Sequence, residues 1–236
     1  MMSPTPNSAA SIVERYSPSG SGRERALKVR GRLLNEEPIQ AARTALVVID
    51  MQNHFVAEGG VGEVPPARMI VPTINELANA MRSAGVLVVW IQTSATGALE
   101  HWARHHSGVL SHERAKRRLA SLDENSDGFQ LYPGLDVRPE DLRLTKIHYS
   151  AFIPGLCRLD EELRARGIDT VLIGGTATNV CCESTARDAM MLDYRAIMVS
   201  DANATWTADE QRATLDLFAA FFGDVMTSAQ VVDRLR

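Results

Sequence analysis

Cysteine is scarce in this 236-residue chain: there are three, two of them adjacent, which excludes a disulfide-built scaffold. The cysteines therefore read as reduced thiols in a cytoplasmic protein. Positive charge is not in surplus either. The net charge of −4 gives no basic footprint for nucleic acid. No apolar run approaches the roughly 20 residues that a membrane helix needs, and no positively charged start leads into an apolar segment, so no secretory signal is expected. Internal repeats and linkers are also missing. What is present is 45% hydrophobic and 23% charged residues, the composition of a globular domain with a sizeable core.

Residues 1–25 are rich in Ser, Pro, Gly and Asn and read as a flexible tail. Residues 26–43 read as an N-terminal arm that folds over the domain or onto a neighbouring subunit. From Thr44, apolar runs alternate with helical spacing. Ala45 to Ile49, Val86 to Ile91, Leu142 to Lys146, Val171 to Ile173 and Ala196 to Val199 are strand candidates, with Asp224 to Met226 as a short last one. Met69 to Ala84, Leu159 to Arg166, Ala186 to Tyr194 and Ala208 to Phe222 carry helical patterns, and Thr227 or Ser228 caps a terminal helix to Leu235. This alternation predicts one α/β domain over 44–236: a three-layer α/β/α sandwich around a mainly parallel sheet.

Residues 93–140 are irregular and partly basic. His101, His105, His106 and His112 lie among Trp102, Arg104, Arg114, Lys116, Arg117 and Arg118. No Cys, Asp or Glu stands at ligand spacing among them, so this stretch reads as a helical excursion over the mouth of a site and not as a metal centre. Asp123 to Gly128 lacks the spaced carboxylates of a calcium loop and reads as a turn.

The chemistry gathers at strand ends. Asp50 follows the first strand, where open parallel sheets place ligands, or else caps a turn. Lys146 ends the third, as a site cation or a snorkelling surface residue. After Val171 to Ile173, Gly174 and Gly175 break the strand and a helix starts near Cys181. A thiol there meets the positive end of the helix dipole, one route to a low-pKa nucleophile. In a parallel sheet all three groups fall on one edge. Asp, Lys and Cys together make chemical sense, the carboxylate taking the thiol proton and the ammonium steadying the thiolate.

Three motifs carry a resemblance: Val-Val-Ile-Asp-Met-Gln-Asn at 47–53, Lys146 with Tyr149-Ser150-Ala151-Phe152 after it, and Gly-Thr-Ala-Thr-Asn-Val-Cys-Cys-Glu-Ser-Thr-Ala-Arg-Asp-Ala at 175–189. From about Thr44 onward the chain resembles the isochorismatase-like cysteine hydrolases, which include nicotinamidases, N-carbamoylsarcosine amidase and ureidoacrylate amidohydrolases. The resemblance implies Cys181, not Cys182, as nucleophile, Asp50 as general base and Lys146 as the third triad member. It also implies a cis peptide between Thr176 and Ala177, with the amides of Ala177 and Cys181 forming an oxyanion hole. Gln52, Asn53, Phe55, Tyr149, Phe152 and Asn179 become candidates for binding substrate. Trp90 is assigned to the core, Arg187 and Asp188 to a helix surface or subunit contact, and His148 to no role.

Thr93-Ser94-Ala95-Thr96-Gly97 stands where nicotinamidases carry an Asp/His metal cluster, so neither metal nor cofactor is expected. Ile153-Pro154-Gly155-Leu156-Cys157 departs from the ureidoacrylate pattern by a short insertion, which weakens the transfer of that branch's substrate. The function implied is hydrolysis of a C–N bond in a small linear amide, ureido or N-carbamoyl compound through a thioester. The alternatives are vinyl ether hydrolysis of the isochorismate type, which needs no thiol, and a catalytically silent binding module. A small-molecule substrate and a homo-oligomer, dimer or tetramer, are expected, with no nucleic-acid or membrane partner.

Overall fold

The computed structural model of the protein describes Tyr16 and residues 20–236. Its strands are β1 (Thr44–Ile49), β2 (Leu87–Thr93), β3 (Leu142–Lys146), β4 (Thr170–Thr176), β5 (Arg195–Ala204) and β6 (Asp224–Met226). They form one sheet in the order β3-β2-β1-β4-β5-β6, each neighbouring pair parallel. The longer helices are α1 (Gly20–Arg30), α2 (Val71–Ser83), α3 (His112–Ser121), α4 (Leu159–Ala165), α5 (Glu183–Met191), α6 (Ala208–Phe221) and α7 (Ser228–Arg234).

Period-two alternation in the central strands builds both cores. Leu46, Val48, Val88 and Trp90 meet Ile74, Leu77, Met81 of α2 and Val231 of α7 on one face. Ala45, Val47, Ile49, Val171 and Ile173 meet α4, α5 and α6 on the other, through Leu159, Leu163, Ala186, Leu215 and Phe218. All six residues of β1 are buried, as a strand covered on both faces requires. Edge strand β3 alternates instead, with Arg143 and Thr145 exposed. Trp90 is core, as expected, and its indole N–H donates to Asp141 at 2.8 Å.

Helix ends follow local chemistry. Pro72 sits in the first turn of α2, where its missing N–H costs nothing, and Gly85 beyond its end takes a left-handed φ of 78°. Capping boxes start α6 at Thr207 and α7 at Thr227, which decides between Thr227 and Ser228.

The predicted boundary at residues 25 and 26 does not coincide with a structural break. Gly20–Arg30 is one helix, lying on α6, and Arg30 pairs with Asp224 at 2.5 Å and donates to the Ala219 carbonyl at 2.9 Å. Residues 31–43 continue over the same chain: Ile39 is fully buried and bridges to Leu235. The rest of the predicted tail, residues 1–15 and 17–19, lies outside the described residues.

Three strands, β2, β4 and β5, run further than their sequence pattern implies, β2 continuing through Gln92 to Thr93. β4 continues through Gly174 and Gly175 to Thr176, and β5 through Asp201 to Ala204, with a register shift between them after Ile173. Glycine does not break β4. Gly175 has a φ of 118°, and a Cβ there would collide with the Ile49 carbonyl of β1, so this residue permits the close approach of the two strands. Asn203 ties the irregular stretch together by donating to the Ile173 and Val199 carbonyls, each at 2.7 Å.

Candidate active site

Three neighbouring strands end in one buried polar cluster. Asp50 follows β1, Thr93 ends β2 and Lys146 ends β3, and the β2–β3 register pairs Thr93 with Lys146. Asp50 adopts a left-handed φ of 55°, a conformation that short polar side chains tolerate better than most. Its N–H donates to the Ile91 carbonyl at 2.9 Å.

The side chains interlock. The Lys146 ammonium donates to Asp50 Oδ2 at 2.9 Å, Thr93 Oγ1 at 2.7 Å and the His148 carbonyl at 3.0 Å, which uses all three of its protons. The Thr93 hydroxyl donates in turn to Asp50 Oδ1 at 2.8 Å. Asp50 is 0% and Lys146 1% exposed, so this is an ion pair cut off from water. Burial alone would lower the lysine pKa, but the Asp50 carboxylate and then Cys181 outweigh it and the net direction is upward. His148, which had been assigned no role, holds the lysine through its backbone.

Cys181 comes from the other side of the sheet's switch point, between β1 and β4. It sits in a π-helical turn, Thr178–Cys182, that runs into α5, so the α-helix begins two residues later than its sequence suggests. The peptide bond between Thr176 and Ala177 is cis, as expected. The expectation of a low-pKa thiol is overturned. Burial first and the Asp50 carboxylate second push Cys181 up to about 12, with Lys146 pulling the other way. In this environment the resting thiol is protonated. Cys182 is fully buried, with its sulfur turned toward the Gly174 carbonyl at 3.9 Å, away from the cavity that Cys181 lines.

That cavity, of about 110 Å³, is lined by Cys181 and Ala177, with Val180, His54, Phe55, Val61, Gly62 and Trp206 around them. The irregular 93–140 excursion covers it, supplying His105, Leu110, Arg114 and Arg118, and Tyr149 completes the wall. Trp102 organises this cover: it stacks on His105 at 3.9 Å and meets Tyr149 edge-on at 4.8 Å. The volume is well below the roughly 300–1,000 Å³ of drug-sized pockets, which points to a small ligand.

Of the six candidate binding residues, Phe55 and Tyr149 reach the cavity wall. The others are committed elsewhere. Gln52 is fully buried and donates to the Thr93 and Phe129 carbonyls, Asn53 donates to Asp127, Phe152 packs against Tyr194, and Asn179 accepts from Thr205. Arg187 pairs with Glu183 on the surface of α5. Trp206, missed from sequence, follows directly from the extra length of β5, which carries the chain up to the site edge. His54, the residue after the 47–53 motif, carried no expectation from sequence. Burial, Arg118 and Arg114 lower its pKa to about 3, and His105 falls to about 4 through burial and Arg118, so both imidazoles stay neutral at pH 7.

Among the described residues, no three His, Cys, Asp or Glu side chains gather as a metal site. No helix among them is long and apolar enough to cross a membrane.

Comparison with known proteins gives a consistent neighbourhood. The isochorismatase domain matches residues 44–230. A ureidoacrylate amidohydrolase, RutB, of Caulobacter vibrioides is 34% identical over 209 residues, covering 81% of this chain and 91% of that protein. This similarity holds despite the departure at Ile153 to Cys157. Among solved structures, a cysteine hydrolase from Pseudomonas syringae pv. phaseolicola superposes with a TM-score of 0.74 at 33% identity, covering 84% of this chain and 94% of that one. N-carbamoylsarcosine amidase from Thermoplasma acidophilum has a TM-score of 0.61 at 28% identity, over 79% and 96% of the two chains.

Proposed function

Since this chain belongs to the isochorismatase family, we propose that it is a cysteine-dependent amidohydrolase that cleaves the C–N bond of a small ureido, N-carbamoyl or linear amide compound. The observation that carries this reading is the Cys181 thiol at the floor of a small cavity, with the Asp50–Lys146 pair behind it.

In the proposed cycle the Cys181 sulfur attacks the substrate carbonyl carbon while its proton passes to Asp50. The oxyanion is received by the Ala177 and Cys181 amides, both on residues of the cavity wall. Asp50 then returns the proton to the departing nitrogen, and the C–N bond breaks to leave a thioester, or a thiocarbamate when the substrate is a ureido compound. Water gives a proton to Asp50, attacks the acyl carbon and releases the product, and the sulfur regains its proton. Lys146 holds Asp50 in position throughout. Vinyl ether hydrolysis needs a proton donor and no thiol, so the position of Cys181 favours amide chemistry.

Two weaker expectations belong to the same reading. Three buried free thiols fit a reducing cytoplasm. Leu99, Val109, Met191 and Phe221 keep large apolar side chains in solvent, a surface that a second copy in a dimer or tetramer would cover.

The test is ammonia release from a panel of ureido acids, N-carbamoyl compounds and linear amides, with pyruvate release from isochorismate followed alongside. Cys181→Ala is expected to abolish turnover and Cys182→Ala to retain it. Full activity in Cys181→Ala, or turnover of isochorismate alone, refutes the proposal.

A further inference from the structure

We propose that the cavity over Cys181 selects a substrate carrying a carboxylate, which Arg118 and Arg114 of α3 bind; this rests on the amidohydrolase reading and adds the charge of its substrate. The i, i+4 spacing puts both arginines on one face of α3, and both line the cavity. No Asp or Glu lines it with them. Among the described residues neither guanidinium has an ion pair or a side-chain hydrogen bond, whereas Arg82, Arg187 and Arg30 each hold a carboxylate.

The remaining polar groups do not supply an anion either. His54 and His105 are neutral at pH 7, and the Tyr149 phenol is pushed above its ordinary range by burial. The Asp50 carboxylate is already matched by Lys146, and that of Glu63, next to Gly62 in the wall, by Arg68. The field of Arg118 reaches His54, His105, Tyr149 and Cys181, so its charge spans the cavity. Two unmatched cations over a small, largely closed volume make an anionic ligand the favourable occupant. A carboxylate suits it better than a bulkier anion, because its plane matches a guanidinium fork and a short chain fits about 110 Å³.

The experiment uses a matched pair, N-carbamoyl-β-alanine and its methyl ester, which differ in charge and hardly in length. For the full chain, kcat/KM for the acid should exceed that for the ester by roughly 10–100-fold, mainly through KM, as a charge-assisted hydrogen bond predicts. In Arg118→Met the ratio should collapse toward one, and Arg118→Lys should restore part of it. Arg114→Met, on an exposed residue, gives a second variant in case the first folds poorly, and should reduce the ratio as well.

Equal use of acid and ester by the full chain overturns the inference and leaves amide hydrolysis standing. If neither compound is hydrolysed, the amidohydrolase reading is decided by the wider panel and not by this pair. Calorimetry on Cys181→Ala then decides the anion site: Arg118-dependent binding of the acid over the ester supports it, and equal or absent binding overturns it.

Discussion

Lys146→Met keeps the length of the side chain and removes its charge, which isolates the ion pair at the base of the site. Asp50 has no exposure to solvent, so after the substitution its carboxylate keeps the Thr93 hydroxyl at 2.8 Å and loses its cation. Breaking a buried pair from one side costs about 3–5 kcal/mol. Against a total stability of about 5–15 kcal/mol, that is a large fraction. For a chain of this length about 2–4 °C is lost per kcal/mol, so Tm should fall by roughly 6–20 °C.

Asp50→Asn combined with Lys146→Met removes both charges, and the double variant should be more stable than Lys146→Met alone. Urea unfolding followed by the fluorescence of the three tryptophans measures this as a shift in midpoint at constant slope. Both variants should lose turnover. A Lys146→Met protein within about 1 kcal/mol of the parent, or a double variant no more stable than the single, refutes the claim that this pair is a coupled, desolvated unit.

The titration of the site supplies two further expectations. Cys181, raised from about 9 to about 12, should be alkylated slowly by iodoacetamide at pH 7, the rate still climbing above pH 9; a plateau below pH 8 would restore the low-pKa thiol. The same shift works through stability: the folded state holds this proton more tightly, so its contribution is complete below pH 9 and is lost as pH rises toward 12. His54 has the opposite sign. Its folded pKa of about 3 lies below the ordinary 6.5, so its contribution is full above 6.5 and is lost as pH falls toward 3. His54→Gln, which can still reach the Ser121 hydroxyl now 2.9 Å from Nδ1, should flatten the acid limb of stability. An unchanged acid limb would count against the burial argument.

The sheet and the convergence of Asp50, Lys146 and Cys181 were legible because both rest on simple signals: β-branched runs, and polar residues just past their ends. Thr93 was not, although it bridges Asp50 and Lys146. The apolar run of β2 stops at Ile91, while the strand continues through Gln92 and Thr93, whose side chains donate to the Phe129 carbonyl of the 127–129 turn and to Asp50. Gln52 and Asn53 failed as binding residues for a related reason. Amides beside a functional carboxylate look available in sequence, yet here they satisfy backbone carbonyls of the 127–129 turn and β2. The cavity wall contributed by 105–118 was legible in outline, as a basic excursion. Which of its cations face inward depends on the phase of α3 against the sheet, and no local pattern encodes that.

The thiol is where sequence reasoning expected the wrong electrostatics. A helix dipole stabilises an anion at its start by about 0.3–1 kcal/mol, and by up to about 2 in favourable geometry. Each pKa unit corresponds to about 1.4 kcal/mol, so a dipole shifts a thiol by one to two units at most. Burial of the sulfur, and after it the facing Asp50 carboxylate, act in the other direction with more force, and they prevail here even with Lys146 alongside. The consequence is mechanistic. A site holding thiolate, carboxylate and ammonium together would keep a net negative charge out of water before substrate arrived. With the thiol protonated, the buried group is a neutral ion pair beside a neutral thiol, and the proton leaves sulfur only as the carbonyl accepts the electrons. In the proposed mechanism Asp50 takes that proton as the electrons move, its charge adding to burial in keeping Cys181 from ionising alone. On that logic nucleophile and base act as one unit, and removing the Asp50 charge should bring the Cys181 titration down.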